Sequence, residues 1–137
     1  CDCPPEEMGE LEGAMVQAGV HPVLLIAPTS PDRRISLISA RSGGYIYYVS
    51  LRGVTGTRDR LPDDLATGIR RVRALTDKPL AVGFGISTPA QAQAVAELAD
   101  AVIVGSAVVA AVEQSRGAHD LVNRVGGFVG SLRSAIG

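Results

Sequence analysis

Three glycine-bearing turns each follow an apolar run: Gly53-Val54-Thr55-Gly56, Gly83-Phe84-Gly85-Ile86-Ser87 and Gly105-Ser106. Each run reads as a strand, so each glycine stands where a strand ends and the backbone must turn with no side chain in the way. Backbone N–H groups exposed at such turns and at helix N-termini donate to the several acceptor oxygens of a phosphate without help from long side chains. Three turns of this kind can wrap one anion, and the chemistry they suggest is the handling of a phosphorylated small molecule.

The rest of the composition narrows the field. The chain has 137 residues, 46% of them hydrophobic and 20% charged, enough to bury a core as one domain. With a net charge of −1 and no cluster of Lys and Arg, nucleic acid is not an expected partner. No apolar stretch approaches the ~20 residues that span a bilayer, and no basic start with an apolar middle marks a signal peptide, so no membrane association and a cytoplasmic location are expected. Cys1 and Cys3 are too close for an unstrained disulfide, and two thiolates alone make a poor metal site; both read as small apolar residues on a strand. The sequence lacks an initial Met and starts within that strand, from which a fragment is expected.

Strand and helix signals alternate with little between them. Glu6 to Ala18 places Met8, Leu11, Met15 and Ala18 on one helical face, with Gly19 as a stop. Val23 to Ala27 is a short apolar run. Thr29-Ser30-Pro31-Asp32 supplies an N-cap, a proline for the first turn and an acidic residue for the dipole of a helix reaching about Ser42, with Ile35 and Ile38 inward. Tyr45 to Ser50 is aromatic and β-branched, hence strand. Period two puts Tyr45 and Tyr47 on one face and Ile46 and Tyr48 on the other.

Leu51 to Arg60 has no period and reads as a loop. Leu61-Pro62-Asp63-Asp64 opens a helix carrying Leu65, Ile69, Val72 and Leu75. Pro79 to Val82 is strand, Thr88-Pro89 starts a helix to about Leu98, and Ala101 to Val104 is strand. A short helix from Ser106 to about Val112 precedes a longer one, His119 to Ile136, expected to bury Leu121, Val125, Phe128 and Leu132. The order βαβαβαβα implies parallel strands joined by right-handed helical crossovers.

An open doubly wound sheet and half of an eight-stranded βα barrel both fit this order. Counting favours the barrel, which needs roughly 250 residues; this chain offers four βα units and the tail of an earlier strand at Cys1 to Cys3. Barrels also recurrently bind phosphate with the loops after their seventh and eighth strands and the N-terminus of a short extra helix. The Gly83-Gly85 turn, the Gly105-Ser106 turn and the helix after Ser106 match that pattern.

Asp2-Cys3-Pro4-Pro5-Glu6-Glu7, Ala27-Pro28-Thr29, Tyr45 through Gly56 (YIYYVSLRGVTG), Pro79 through Ile86 (PLAVGFGI) and Ala101 through Ala107 (AVIVGSA) resemble, in order and spacing, the fourth to eighth strand ends of the tryptophan synthase alpha subunit family. The resemblance spans nearly the whole chain. It implies an α/β fold, the C-terminal half (strands 4–8) of a TIM (β/α)8 barrel, with residues 1–137 forming one partial domain. It also implies a lyase reaction of tryptophan biosynthesis: retro-aldol cleavage of indole-3-glycerol phosphate to indole and glyceraldehyde 3-phosphate, without metal or cofactor in this subunit.

That reaction needs an acid for the indole ring carbon, a base for the glycerol hydroxyl and an acceptor near the indole nitrogen. By the resemblance these tasks fall to a Glu and an Asp of the barrel's first half, so no catalytic residue is expected in this chain. Asp100 precedes the eighth strand on the far side from the chemistry; Asp63, Asp64, Glu10 and Glu12 belong to helix surfaces; Asp2 sits at a strand's C-terminal end, but the resemblance gives it no catalytic role. What carries over is binding. Gly56, Gly85, Gly105 and Ser106 would hold the phosphate, while Tyr47, Val49, Thr55, Phe84 and Leu25 would line the pocket.

The loop with Arg52, Arg58 and Arg60 would close over substrate and communicate with a beta subunit, though Leu51 stands where some members have Arg. Other phosphate-binding barrel enzymes would share the last two turns but not the Tyr45–Gly56 stretch. A dinucleotide site is suggested by Gly83-x-Gly85, yet Thr88 replaces the third glycine of GxGxxG. A non-catalytic phosphate-binding half barrel is the third alternative. Half a barrel exposes two sheet edges, so the chain is expected to dimerise, aggregate or find an N-terminal half.

Overall fold

The computed structural model describes residues 3–49, 63–83 and 85–137. A 3-10 turn at Pro5–Glu7 leads into helix α1 (Gly9–Gln17), strand β1 (Leu24–Ile26), helix α2 (Asp32–Arg41) and strand β2 (Ile46–Val49). Helix α3 (Asp63–Arg73), strand β3 (Leu80–Gly83), helix α4 (Pro89–Ala96), strand β4 (Ala101–Ile103) and helices α5 (Ser106–Gln114) and α6 (Leu121–Ala135) follow. The strands form one parallel sheet in the order β1-β2-β3-β4. Each of α2, α3 and α4 is the crossover that a parallel neighbour requires.

Register sorts the side chains onto two faces. Leu24, Ile46 and Leu80 share one row and Ile26, Tyr48 and Val82 the next, and all six are buried. Ile35 and Ile38 of α2, Leu65, Ile69 and Val72 of α3, and Ala92 and Val95 of α4 join them in a single apolar core. The opposite face carries Leu25, Tyr47 and Val49, each only half-buried. The helices thus cover one face and leave the other more open.

Helix α3 approaches β2 closely because residue 68 is glycine. A Cβ there would collide with the Tyr48 hydroxyl and lie 3.0 Å from its Cζ. Tyr48 is 1% exposed, and its hydroxyl has no hydrogen-bond partner among the described residues. Burial, followed by the Asp64 charge, pushes its pKa up.

Polar ties cluster at the amino end of the sheet. Asp100 Oδ2 accepts from the Leu80 N–H at 2.7 Å and from Arg73 Nη2 at 2.6 Å, and the Asp100 N–H donates to Leu80 O at 3.0 Å. Ser42 accepts the Leu24 N–H at 3.1 Å and donates to Tyr45 O at 2.8 Å, while Lys78 Nζ donates to Ser42 O. These bonds fix where β1, β3 and β4 begin. Asp100 is therefore structural, at the end away from the glycine turns.

The structure corrects several boundaries. Cys3 is exposed and lies in no strand; Pro4 and Pro5, which follow it, have no N–H to give a ladder. Leu11, expected inward, is 52% exposed; Met8, the residue before α1, and Met15 within it reach the core, and Ala18 is also exposed. Pro31 is the N-cap of α2 rather than its first residue, and no side chain caps that helix, because the Ser30 hydroxyl is engaged by the Ala27 N–H at 3.2 Å. Tyr45 lies before β2 and is exposed. The helix after Ser106 runs to Gln114, and α6 starts at Leu121 and buries Leu132 alone, with Leu121, Val125 and Phe128 half-buried.

Two measurements test this packing. Gly68→Ala is expected to lower stability by about 2 kcal/mol in urea, the collision outweighing the ~1 kcal/mol that alanine gains in a helix. Adding Tyr48→Phe should recover most of that loss; an undiminished loss would place its cause elsewhere. For Asp100, the Leu80 N–H and then Arg73 hold the carboxyl below its usual pKa. A depressed native pKa stabilises the fold above the unfolded value, about 4, and that stabilisation fades as pH falls through the native pKa. Asp100→Ala should cost about 1 kcal/mol at neutral pH, the partly exposed ion pair being screened, and its gap to the parent in thermal melts should narrow in acid. A gap independent of pH would contradict this origin.

Candidate functional site

The carboxyl ends of β3 and β4 carry the two glycine turns that the described residues include. Gly83 pairs with Ile103, so Gly85 and Gly105 each follow two residues beyond paired positions on parallel strands roughly 4.8 Å apart. Both turns emerge at the same end of the sheet, side by side. Gly85 has φ +76°, the left-handed region that glycine enters without steric cost. Gly105 has no such constraint, at φ −113°, and open space lies where its Cβ would be.

Gly105 is also the N-cap of α5. Its carbonyl accepts from Val108 N at 2.9 Å and Val109 N at 3.2 Å, and among the described residues the first-turn N–H groups of Ser106 and Ala107 have no partner. Among the described residues no side chain caps them, and Ser106 is exposed. Helix α4 differs. Thr88 Oγ1 accepts its Gln91 N–H at 3.2 Å, so the α4 end already holds its own acceptor where a dinucleotide's pyrophosphate would have to sit.

Gln91 is a site-supporting residue that sequence reasoning missed. Only 3% exposed, it places Oε1 2.9 Å from the Ser87 N–H and 3.3 Å from Ser87 Oγ. It therefore fixes the end of the Gly85–Ser87 turn from behind. The Thr88-x-x-Gln91 spacing of a capping box was the available signal.

Beside the turns lies the open face. Tyr47 is in register with Leu25 on one side and Ala81 on the other, and Val49 is in register with Gly83. A Cβ on Gly83 would stand 2.9 Å from the Tyr47 hydroxyl, 2.8 Å from Ile103 Cβ and 2.9 Å from Ile103 O. Gly83 is thus the niche that admits the Tyr47 phenol toward the turns. Leu25, Tyr47 and Val49 share this face, as expected. Asp2, Ser50 to Pro62 with Thr55, Gly56 and the loop arginines, Phe84, and the Asp63 side chain lie outside the described residues.

Of the other carboxylates, Glu12 pairs with Arg41 at 2.9 Å and Asp32 with Arg71 at 2.5 Å. Glu6 pairs with Arg34 at 2.7 Å, and its pKa is lowered by its own backbone N–H first and by Arg34 second. Glu10 and Asp64 are exposed on helices.

A parallel strand–helix sheet in chain order, with a left-handed glycine turn and a helix start side by side at its carboxyl edge, is the architecture of an α/β half barrel. The family model described as tryptophan synthase alpha chain matches residues 1–136, and the chain belongs to this family. It is 47% identical over 135 residues to the tryptophan synthase alpha chain of Geobacter sp. (strain M21), covering 98% of this chain and 50% of that one. With its counterpart from Lactiplantibacillus plantarum it is 53% identical over 108 residues, 79% of this chain and 41% of the other. The chain spans about half the length of the curated relatives it matches.

The crystal structure of tryptophan synthase alpha chain from Legionella pneumophila superposes with a TM-score of 0.85 at 34% identity, over 98% of this chain and 49% of that one. A chain of the tryptophan synthase a2b2 complex from Pyrococcus furiosus does so with 0.84 at 30% identity, over 97% and 53%. The fold is accordingly the C-terminal half of a TIM (β/α)8 barrel, with β1 to β4 as its fifth to eighth strands.

Gly83→Ala tests the niche. It should cost about 2 kcal/mol in urea denaturation, and Tyr47→Phe should return only part of that, because the Ile103 carbonyl remains in the way. Full recovery would mean that the tyrosine alone sets the requirement for glycine.

Proposed function

We propose that this chain is the phosphate-holding half of a tryptophan synthase alpha subunit, a lyase that cleaves indole-3-glycerol phosphate to indole and glyceraldehyde 3-phosphate. The observation that carries the reading is the Gly85 turn standing beside the uncapped N-terminus of α5. In this reading the N–H groups of Gly85, Ser106 and Ala107 and the Ser106 hydroxyl donate to the phosphate, and the α5 dipole adds about 1 kcal/mol. Gly105 keeps the approach free of a side chain, and Gly56 with Thr55 supplies the third turn. Tyr47, Leu25, Val49 and Phe84 form the wall along the glycerol chain and the indole.

The chemical step moves protons. The glycerol hydroxyl loses one, the bond between that carbon and the indole ring breaks, and the ring carbon gains one. We assign the acid and base to a Glu and an Asp of the complementary N-terminal half of the barrel, since Glu6, Glu12, Asp32 and Asp100 are committed to ion pairs. Holding the phosphate fixes the substrate's far end, which converts binding energy into orientation at the reacting carbon. The Pyrococcus furiosus relative comes from an a2b2 complex. We extend that to a beta subunit as a further partner, with the Leu51–Arg60 loop as the lid that closes on substrate.

Indole release from indole-3-glycerol phosphate tests this directly. The chain alone should release none, and adding the N-terminal half of a family barrel should restore release. Activity of the chain alone would overturn the assignment of proton chemistry to the other half. Ser106→Asp should weaken substrate binding by about tenfold or more by placing a carboxylate among the phosphate donors, seen as a raised KM in the complemented protein. An unchanged KM would remove Ser106 from the site.

A further inference from the structure

We draw no further inference here: the strongest candidate, the apolar groove that Met8, Met15, Val23 and Leu24 line along the outer edge of β1, is the seam on which the remaining strands of the family's barrel close, so it restates the architecture already proposed.

Discussion

The pairing of Gly83 with Ile103 is the contact on which the carboxyl edge depends. Because β3 and β4 run parallel and in register there, the turns two residues further on leave the sheet together, and Gly85 comes to lie beside the start of α5. A shift of one residue would turn the strand's side chains to the opposite face, sending Ile103 into the helix layer and Val102 out of it. The same pair explains the glycine at 83: the Ile103 backbone and the Tyr47 hydroxyl occupy the space that a Cβ needs. One contact therefore bears both on where the Gly85 turn and the start of α5 leave the sheet and on the space into which the Tyr47 hydroxyl reaches.

The two ends of the sheet have different tasks. At the amino end, polar side chains close on backbone groups: Asp100 on Leu80, Ser42 on Leu24 and Tyr45, Lys78 on Ser42. Those bonds consume the hydrogen-bonding capacity of the groups that make them. At the carboxyl end, the first-turn donors of α5 have no partner among the described residues, and glycines stand at 83, 85 and 105. This division is general for barrels, whose stability and function lie at opposite faces.

Much of this was legible in the sequence because periodicity reports burial. Ile35 with Ile38, and Leu65, Ile69 and Val72, fall on helix faces that the core covers, while Ile46 and Tyr48 separate from Tyr47 and Val49 as strict alternation requires. The turn at Gly85 was legible too, since only a few residue types tolerate φ +76°. The misses share a cause. Leu11 has the right spacing for burial, but exposure depends on what else packs there. Gly68 looks like a poor helix residue until Tyr48 is seen beneath it. Pro31 rather than a hydroxyl residue became the N-cap of α2, and the Ser30 hydroxyl accepts from a backbone donor outside the helix, the Ala27 N–H. Gln91 was signalled by the Thr88-x-x-Gln91 spacing, but its side chain reaches past the cap to the Ser87 N–H of the neighbouring turn.

In the proposed function the β3 and β4 turns hold one anion between them. Titrating the protein with glycerol 3-phosphate while following backbone amide resonances tests it without requiring turnover. The Gly85 and Ser106 amides are expected to shift together along one saturation curve, with the Leu80 amide at the far end of β3 unmoved. Shifts in only one of the two turns, or two curves with different midpoints, would contradict it.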